Sequence, residues 1–518
     1  MTICPNGPAA SPPRAARDAL ILLIAWAVVC LPFLGAGGLH STEGHRVIPG
    51  WEMLDRVRAE GPSASALLVP TLFGEPYLRK PPGIAWATAV SAAALGKTEF
   101  SARLPSALAM AAMTLVAWWF ASRWFGPRWA LAAGLAHLLM PWLLASVRSA
   151  EIESLNLLGV QLAALAVVDL ARRPASRPVV VVLLGAAGIA LMGVMKGPAG
   201  APALVGALVA PCVVAGSLRP LACPRLWAML ALGAAPLALL VWAIARQAAR
   251  LDNVVTQPVG DFLWSTDRLV GVVLLVPAAL AAMLPASLAL LFPWGPNARG
   301  EAGERLPPLS VETARTLARA CLLALGVLLV AGVSNPRYAM PAGVFAAPLV
   351  AYVFAGAGGG FTPLRARIAR ALMLGRPGAW AGVLLVGVAA HVVWFEARSR
   401  ATSGREAGVA LGDALPDGAT VVADHLIEAR PEVLLYAARR AHEQGRSITV
   451  RWEPGLPSLG ALPPGVFAAI RTDARSDEQA RVQSAGLTAH LERIHDGRVH
   501  EFAFALVQGV GHEADGTK

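Results

Sequence analysis

The chain has 518 residues, a formal net charge of +11 and a mean hydropathy of +0.56, with 56% hydrophobic and 15% charged residues. A soluble domain carries roughly a quarter charged residues, so the composition excludes an ordinary soluble globular protein. Apolar runs of about 20 residues, the length that crosses a bilayer core, recur along most of the chain. Ala, Leu and Val dominate these runs, which indicates spanning helices rather than barrel strands.

Eleven of these runs are predicted to be transmembrane helices, and a shorter apolar stretch at 82–96 could add another. We therefore expect a polytopic α-helical membrane protein with about eleven to thirteen spans. In chain order, the eleven runs are 18–36, 103–121, 128–147, 153–171, 178–195, 199–216, 226–245, 269–292, 316–334, 338–356 and 379–397.

Arginine is concentrated in alternate loops between these runs, and the positive-inside rule makes such loops cytoplasmic. The N-terminus is then cytoplasmic, and an odd number of spans places the C-terminal region outside. The basic excess is a topology signal, so the bilayer is the expected partner and nucleic acid is not. The arginine-rich segments contain Arg14 and Arg17; Arg123 and Arg128; Arg172, Arg173 and Arg177; Arg219 and Arg225; Arg299, Arg305 and Arg315; and Arg365, Arg367, Arg370 and Arg376.

Two external regions interrupt the apolar pattern. Residues 37–82 form a polar loop that is too long to be a simple connector. Residues 401–518 have the composition of a soluble domain, and residues 1–400 are the predicted membrane domain. Strands and helices alternate in the C-terminal region, which predicts a small α/β domain. The predicted strands are 419–423, 447–452, 465–470 and 499–507, and the predicted helices are 431–443 and 476–484.

The chain contains only four lysines, and two of them, Lys80 and Lys196, lie at predicted helix ends. In a chain that otherwise uses arginine, a compact ammonium at these positions could serve as a partner for phosphate. The alternative is that both lysines extend to the membrane interface for solvation. His40 and His45 flank Glu43, but their spacing is not that of a rigid helical zinc site, so no metal is expected.

Several short motifs along the chain resemble those of the polyprenyl-phosphate-sugar-dependent glycosyltransferases of the GT-C type. This is the group of the lipid A aminoarabinose transferase and the protein O-mannosyltransferases. The match is dense over residues 37–110 and thinner, but in order, to about residue 350. The motifs are Glu43-Gly44, Glu52-Met53-Leu54, Tyr77-x-x-Lys80-Pro81-Pro82, Trp86, Glu99-Phe100-x-x-Arg103-Leu104-Pro105-Ser106, Lys196-Gly197-Pro198 and Pro336-Arg337-Tyr338 with Pro341.

The resemblance implies that a sugar passes, with inversion, from an isoprenoid phosphate carrier to a lipid or protein acceptor. It also implies a bacterial inner-membrane protein with a periplasmic C-terminal domain, and a carrier-linked sugar as donor substrate in place of any cofactor. The leaving phosphate gains charge as the glycosidic bond breaks, so positioned cations stabilise it. The candidate phosphate ligands are Lys80, Arg79, Arg337 and Lys196, with Tyr77 and Tyr338 as neighbouring candidates.

The sequence departs from the family pattern where the first loop opens. The family usually has an Asp-Glu pair there, whereas this chain has Thr42 followed by Glu43. Threonine is not a general base at neutral pH, so the acceptor would need another carboxylate. Glu43, Glu151 and Glu153 are the candidate catalytic carboxylates. The alternative for Glu43 is a capping acid, and for Glu151 and Glu153 it is a favourable position at a helix N-terminus.

Two other classes of function fit the composition. A transporter would also be hydrophobic, but it typically has charged groups near mid-span and broken helices in repeated halves. Here the charged groups gather at span ends and in external loops, which favours chemistry at the membrane interface. A non-catalytic relative that binds an isoprenoid carrier is the other alternative, and Thr42 is the residue that keeps it open.

Overall fold

The computed structural model describes residues 12–172, 178–249, 269–291, 307–356, 404–453, 462–463, 465–471, 492–495 and 504–508. Contacts between Cα atoms divide the chain into two compact units. The helical unit comprises the described parts of Met1–Leu34, Arg103–Arg246 and Gln257–Val392, and the mixed unit those of Gly35–Ala102, Gln247–Thr256 and Val393–Lys518. The long polar loop 37–82 and the C-terminal region therefore belong to the same compact unit.

The helical unit contains long apolar helices that pack around an Ala- and Leu-rich core. The helices of the first half of the chain are α1 (Pro12–Cys30), α5 (Glu99–Phe125, which starts in the mixed unit), α6 (Pro127–Leu138), α7 (Pro141–Val147), α8 (Ile152–Arg172), α9 (Pro178–Lys196), α10 (Ala201–Ala215) and α11 (Pro224–Ala248). The second half adds α12 (Leu269–Ala282), α13 (Pro308–Val330) and α14 (Gly343–Gly356), with 3-10 helices at Gly197–Gly200, Ala286–Leu291 and Pro336–Ala342.

Within the described residues, six helical runs are long and apolar enough to cross a membrane, or seven if the bent pair α6–α7 is one span. The predicted fold class, a multi-pass helical membrane protein, is confirmed. The predicted run 128–147 is bent by 63° between α6 and α7. Pro141 opens α7, and proline lacks the N–H that would continue the preceding helix. The predicted run 379–397 lies outside the described residues.

One of the six runs, Val179–Ala215, is 37 residues long, about twice the length that a bilayer needs. Its backbone leaves the helical region at Lys196 (φ −138°, ψ 8°) and at Gly197 (φ 62°). Beyond this point, Gly200 lies against Met192 and Val160, residues on the helices before the break. The chain therefore turns back at Lys196-Gly197-Pro198, and the run contains the two predicted spans 178–195 and 199–216.

Two glycines allow α8 and α9 to pack closely. A Cβ on Gly159 would lie 2.6 Å from the Met192 nitrogen, and one on Gly188 would lie 2.6 Å from the Ala163 nitrogen. Small residues at such crossings let two backbones approach in a membrane, where packing rather than the hydrophobic effect drives association. This contact fixes the N-terminal end of α8 beside the C-terminal end of α9.

Two buried arginines hold the end of α1. Arg148 donates to the backbone carbonyls of Val29 (3.0 Å) and Pro32, and Arg103 donates to the carbonyl of Leu34 (3.1 Å). The last carbonyls of a helix have no partner within it, and cationic donors at that end are favourable. The helix ends at Cys30, earlier than the predicted limit of 36, because Pro32 and Phe33, which has a φ of 56°, do not continue it.

The mixed unit combines the long polar loop with the C-terminal domain. The loop contains α2 (Gly44–Glu60), α3 (Ala64–Leu68), a short hairpin of β1 (Thr71–Leu72) and β2 (Glu75–Pro76), and α4 (Gly83–Leu95). The C-terminal domain contains α15 (Arg405–Ala414), β3 (Ala419–Ala423), α16 (His425–Ala429), α17 (Pro431–Glu443), β4 (Ile448–Trp452), β5 (Val466–Arg471), β6 (Glu492–His495) and β7 (Phe504–Gln508).

The five C-terminal strands form one sheet in the order β4-β3-β5-β7-β6. Strand β3 pairs in parallel with β4 and β5, whereas β7 pairs antiparallel with β5 and β6. The predicted α/β domain is confirmed, and the helix at 431–443 and the strand at 419–423 have the predicted limits. Of the predicted strand 499–507, residues 504–507 lie in β7. The predicted helix 476–484 lies outside the described residues.

The core of the mixed unit includes side chains from both of its parts. Ile48, Leu72 and Tyr77 of the loop are buried in one cluster with Leu426, Val433 and Trp452 of the domain. Burial of apolar surface at about 25 cal/mol per Å² is the main favourable contribution to such packing. Residues 37–82 and the C-terminal domain thus share one hydrophobic core.

Candidate functional site

Charged and aromatic side chains converge in the helical unit where α8 begins and α9 ends. The Lys196 ammonium lies 2.8 Å from Oε1 of Glu153, and both side chains are buried, with exposures of 7% and 9%. The same ammonium lies 4.7 Å from the centroid of the Tyr338 ring. A cation in this position is attracted to the ring face as well as to the carboxylate.

Arg337 lies beside the same tyrosine. Its guanidinium carbon is 5.3 Å from the Tyr338 ring centroid, and its Nη2 donates to the Tyr338 hydroxyl at 3.5 Å. The backbone here is held by Asn335, whose side-chain oxygen accepts from the Arg337 N–H at 3.1 Å. This cap starts the 3-10 helix Pro336–Ala342, so Arg337 and Tyr338 are presented by its first turn.

The sequence places the two carboxylates of this cluster at the start of α8, where a helix N-terminus favours negative charge. Glu153 is in the first turn of α8, and Glu151 is the residue just before the helix. The Ser106 hydroxyl donates to the Glu151 carbonyl at 3.1 Å, which ties this turn to α5. The Glu151 side chain is only partly buried, in contrast to that of Glu153.

We define the ionic cluster as Glu151, Glu153, Lys196, Arg337 and Tyr338. It brings together five of the predicted site residues from three separate sequence regions. A small apolar cavity adjoins its last segment, lined by Met140, Trp142, Leu143, Ala279, Ala282, Met283, Pro336 and Met340. The cluster therefore combines cationic donors, carboxylates and a neighbouring apolar surface.

The other predicted site residues lie in the mixed unit. Glu43 ends a 3-10 turn, Ser41–Glu43, and is fully buried. Its Oε2 accepts from the His40 backbone N–H at 2.9 Å and lies 3.7 Å from His40 Nε2. A carboxylate that accepts from the backbone N–H of the N-cap residue makes one of the two hydrogen bonds of a capping box. This geometry is the one expected if Glu43 is a capping acid. Thr42, in the same turn, is partly exposed.

A second buried carboxylate next to Glu43 was not predicted. Glu432, near the start of α17, is fully buried, and its Oε2 lies 2.9 Å from the position of a Cβ on Gly44. Its Oε1 accepts from Arg430, whereas Oε2 has no hydrogen-bond partner among the described residues. Burial raises the pKa of Glu432 to about 7; Arg430 opposes this shift and the charge of Glu43 adds to it.

Tyr77, Arg79 and Lys80 follow the β1–β2 hairpin. The Tyr77 ring lies 6.0 Å from His45 and 6.2 Å from Trp452, between centroids. Burial raises the pKa of Tyr77, and burial with the nearby charges of Arg46 and Arg79 lowers the pKa of His45 to about 3, so both rings are neutral. Arg79 pairs with Glu428, and Lys80 lies partly buried in the turn before α4.

A third set of contacts involves Glu99, the first residue of the motif Glu99-Phe100-x-x-Arg103-Leu104-Pro105-Ser106. The Tyr436 hydroxyl accepts from the Leu39 N–H at 2.6 Å and donates to Glu99 at 2.9 Å. Arg439, one turn further along α17, lies 3.4 Å from Glu99 and 4.6 Å from the Trp51 ring centroid. Burial raises the pKa of Tyr436, so its hydroxyl keeps its proton. The amphipathic pattern of α17 was visible in the sequence, but its partner was not.

In the part of the chain that the structure describes, no three His, Cys, Asp or Glu side chains converge in a group that could hold a metal ion.

Comparisons with known proteins support the predicted resemblance. Residues 79–244 match the family model described as dolichyl-phosphate-mannose-protein mannosyltransferase. Two crystal structures of ArnT from Cupriavidus metallidurans, one in the apo state and one bound to undecaprenyl phosphate, each match with a TM-score of 0.65 at 16% identity. Each alignment covers 97% of this chain and 99% of the ArnT chain. Among curated protein sequences, none matches the chain.

The matched family region contains Arg79, Lys80, Glu151, Glu153 and Lys196, and the structural match extends over nearly the whole chain. The resemblance stated from the motifs is thereby confirmed, and the chain has the fold of the GT-C glycosyltransferases.

Proposed function

We propose that this protein transfers a sugar from a polyprenyl-phosphate carrier to an envelope lipid or protein at the outer face of the inner membrane. The observation that carries the proposal is the ionic cluster in a fold that aligns with ArnT over 97% of the chain. One of the two matching ArnT structures is bound to undecaprenyl phosphate. The α/β domain is then periplasmic and the N-terminus cytoplasmic, as the arginine distribution predicts.

The donor phosphate would be held by cations of the cluster. Arg337 and Lys196 both lie at the Tyr338 ring, and Glu153 holds the Lys196 ammonium in place. The bond between the anomeric carbon and the phosphate oxygen breaks, and its electron pair goes to the phosphate. Preorganised cations stabilise that developing charge, with Lys80 and Arg79 as the ligands proposed from the external loop.

The acceptor hydroxyl would attack the anomeric carbon from the opposite face, which inverts its configuration, and a carboxylate would take the proton. Among the three candidates, Glu43 is buried in a cap and Glu153 is paired with Lys196. Glu151 is partly exposed at the start of α8. We therefore assign proton removal to Glu151, orientation of Lys196 to Glu153, and ordering of the loop to Glu43.

The test is mass spectrometry of envelope lipids and exported proteins from a deletion strain that is complemented with single variants. We expect a sugar-sized mass to disappear on deletion and to return with wild type and with the surface control Glu443→Gln. Glu151→Gln is expected to leave it absent. The mass and its carrier would then identify the sugar and the acceptor together.

The other outcomes separate the alternatives. If Glu43→Gln fails to restore the mass and Glu151→Gln restores it, Glu43 is the base and the assignment above is wrong. If deletion changes no glycan while the purified protein still binds undecaprenyl phosphate, the chain is a non-catalytic carrier-binding relative. If it moves an intact lipid-linked sugar across vesicles without transfer, it is a transporter.

A further inference from the structure

The segment Tyr77–Pro82 carries Lys80, and the α/β domain holds it on one side. Tyr77 is 5% exposed, and its ring lies between His45 of the loop and Trp452 at the end of β4. Aromatic rings with centroids within 7 Å attract one another beyond their burial of area. The Tyr77 ring is therefore held in place by a side chain of the C-terminal domain.

Arg79 is held by two residues of the same domain. Its guanidinium forms an ion pair with Glu428 of α16, and its carbon lies 6.0 Å from the centroid of the Trp452 ring. The Trp452 indole N–H donates to Asp424 at 3.2 Å, which fixes the orientation of the ring. The Trp452 ring thus lies near two residues of the loop segment, Tyr77 and Arg79.

Lys80 is confined by its neighbours on both sides. Arg79 precedes it, and Pro81 and Pro82 follow, with Pro82 at the position just before α4. Proline fixes φ near −65° and restricts the residue before it, so the backbone at Lys80 has few alternatives. Successive Cα atoms are about 3.8 Å apart, so a shift of Arg79 would move Lys80 with it.

We propose that Trp452 and Glu428 are positioning residues that set the place of Lys80 for the donor phosphate. The inference rests on the proposed function, because it takes Lys80 as a phosphate ligand. It gives the C-terminal domain a part in donor binding through residues that need not touch the donor. Neither residue belongs to a motif on which the family resemblance rests.

The test measures KM for the polyprenyl-phosphate sugar, KM for the acceptor and kcat in three variants. Glu428→Gln is expected to raise the donor KM about two- to fivefold, because a partly exposed ion pair contributes little. Trp452→Leu keeps an apolar side chain but removes the ring, and a donor KM about tenfold higher is expected. The acceptor KM should not change. Trp452→Phe, which keeps an aromatic ring beside Tyr77 and Arg79, should return the donor KM toward wild type.

Asp413→Asn is the matched control. Asp413 also pairs with an arginine of this domain, Arg440, at 2.7 Å, and this pair joins α15 to α17 within the domain. If the donor KM of this variant is unchanged, a rise in the donor KM of Glu428→Gln does not come merely from losing an ion pair in the domain. Equal falls in kcat for all variants, with no change in the donor KM, would overturn the inference.

Lys80→Ala separates this inference from the proposed function. If Lys80→Ala raises the donor KM and the Trp452 and Glu428 variants do not, the positioning role is wrong and the donor site stands. If Lys80→Ala has no effect, Lys80 is not a phosphate ligand and both statements about it fail. Binding of undecaprenyl phosphate to the same variants is also measured by native mass spectrometry. This measurement tests the role of Lys80 in donor binding even if no turnover is detected.

Discussion

The charge of buried carboxylates is compensated differently in the two compact units. In the helical unit, the Glu153 carboxylate and the Lys196 ammonium lie 2.8 Å apart and neutralise each other. In the mixed unit, the neighbouring buried groups Glu43 and Glu432 are both acids, and Arg430 offsets only part of their charge. A buried pair of opposite charges keeps both groups ionised, whereas two buried acids compete for one proton. The second arrangement makes the stability of the folded protein depend on pH.

The largest expected effect is at Lys196. Lys196→Met leaves the Glu153 carboxylate buried without its cation, which typically costs about 3–5 kcal/mol of stability. We expect a large fall in the unfolding temperature and no detectable sugar transfer. The double variant Lys196→Met with Glu153→Gln should recover most of the stability, because no uncompensated charge remains, but not the transfer.

A second buried pair in the same unit provides the control. Arg123 lies 2.9 Å from Asp169, which also accepts from the indole N–H of Trp124. For Arg123→Met with Asp169→Asn we expect recovery of both stability and transfer. Transfer by the double variant at Lys196 and Glu153 would mean that the ionic cluster is structural and does not bind the donor.

The second-largest expected effect on stability is at Glu432. Its pKa is raised from 4.5 to about 7, so the folded protein binds this proton more tightly than the unfolded chain does. The resulting stability is complete below about pH 4.5 and is lost as the pH rises through about 7. At 1.36 kcal/mol per pH unit, the loss is about 3 kcal/mol. Glu432→Gln removes this dependence, so its unfolding temperature should exceed that of wild type at pH 8 by more than at pH 5.

The exposed carboxylate Glu443 on the same helix gives the matched comparison, with a side chain that is 66% exposed. Glu443→Gln should shift the curve of unfolding temperature against pH much less than Glu432→Gln. If the curves of unfolding temperature against pH are parallel for wild type and Glu432→Gln, the pKa of Glu432 is not raised by burial next to Glu43.

The smallest expected effect concerns space rather than charge. A Cβ on Gly44 would lie 2.9 Å from both Glu432 Oε2 and the Pro431 side chain, so Gly44→Ala forces the loop away from α17. Overpacking of this kind costs about 1–3 kcal/mol. Gly326→Ala is the control, because nothing lies within 4 Å of its Cβ position. Thermal unfolding of both should show destabilisation only for Gly44→Ala; equal stability would mean that the contact is loose.

The sequence predicted those features that depend on local pattern. Hydropathy located the helices, and alternation of strand and helix located β3, β4, β5 and α17, because both periodicities are read over a few residues. It did not predict where spans bend. Pro141 and Gly197 act through the backbone, at positions that hydropathy does not mark.

For the candidate site, the motifs predicted which residues matter but not their partners. Positive-inside topology placed Glu153 and Lys196 at the same external side, yet only the packing of α8 on α9 shows that they pair. The carboxylate beside Glu43 could not be found, because Glu432 belongs to no motif and lies almost four hundred residues away. Long-range contacts of this type leave no periodic signal in a single sequence.

The hydrogen bond between the Leu39 N–H and the Tyr436 hydroxyl joins residues that are 397 positions apart. At about 5–20 residues per second, synthesis of the intervening chain takes roughly 20–80 seconds. During that interval the Leu39 N–H lacks its partner on α17 and can pair only with water or with other groups already synthesised. The mixed unit can therefore be completed only after the C-terminal domain has been synthesised.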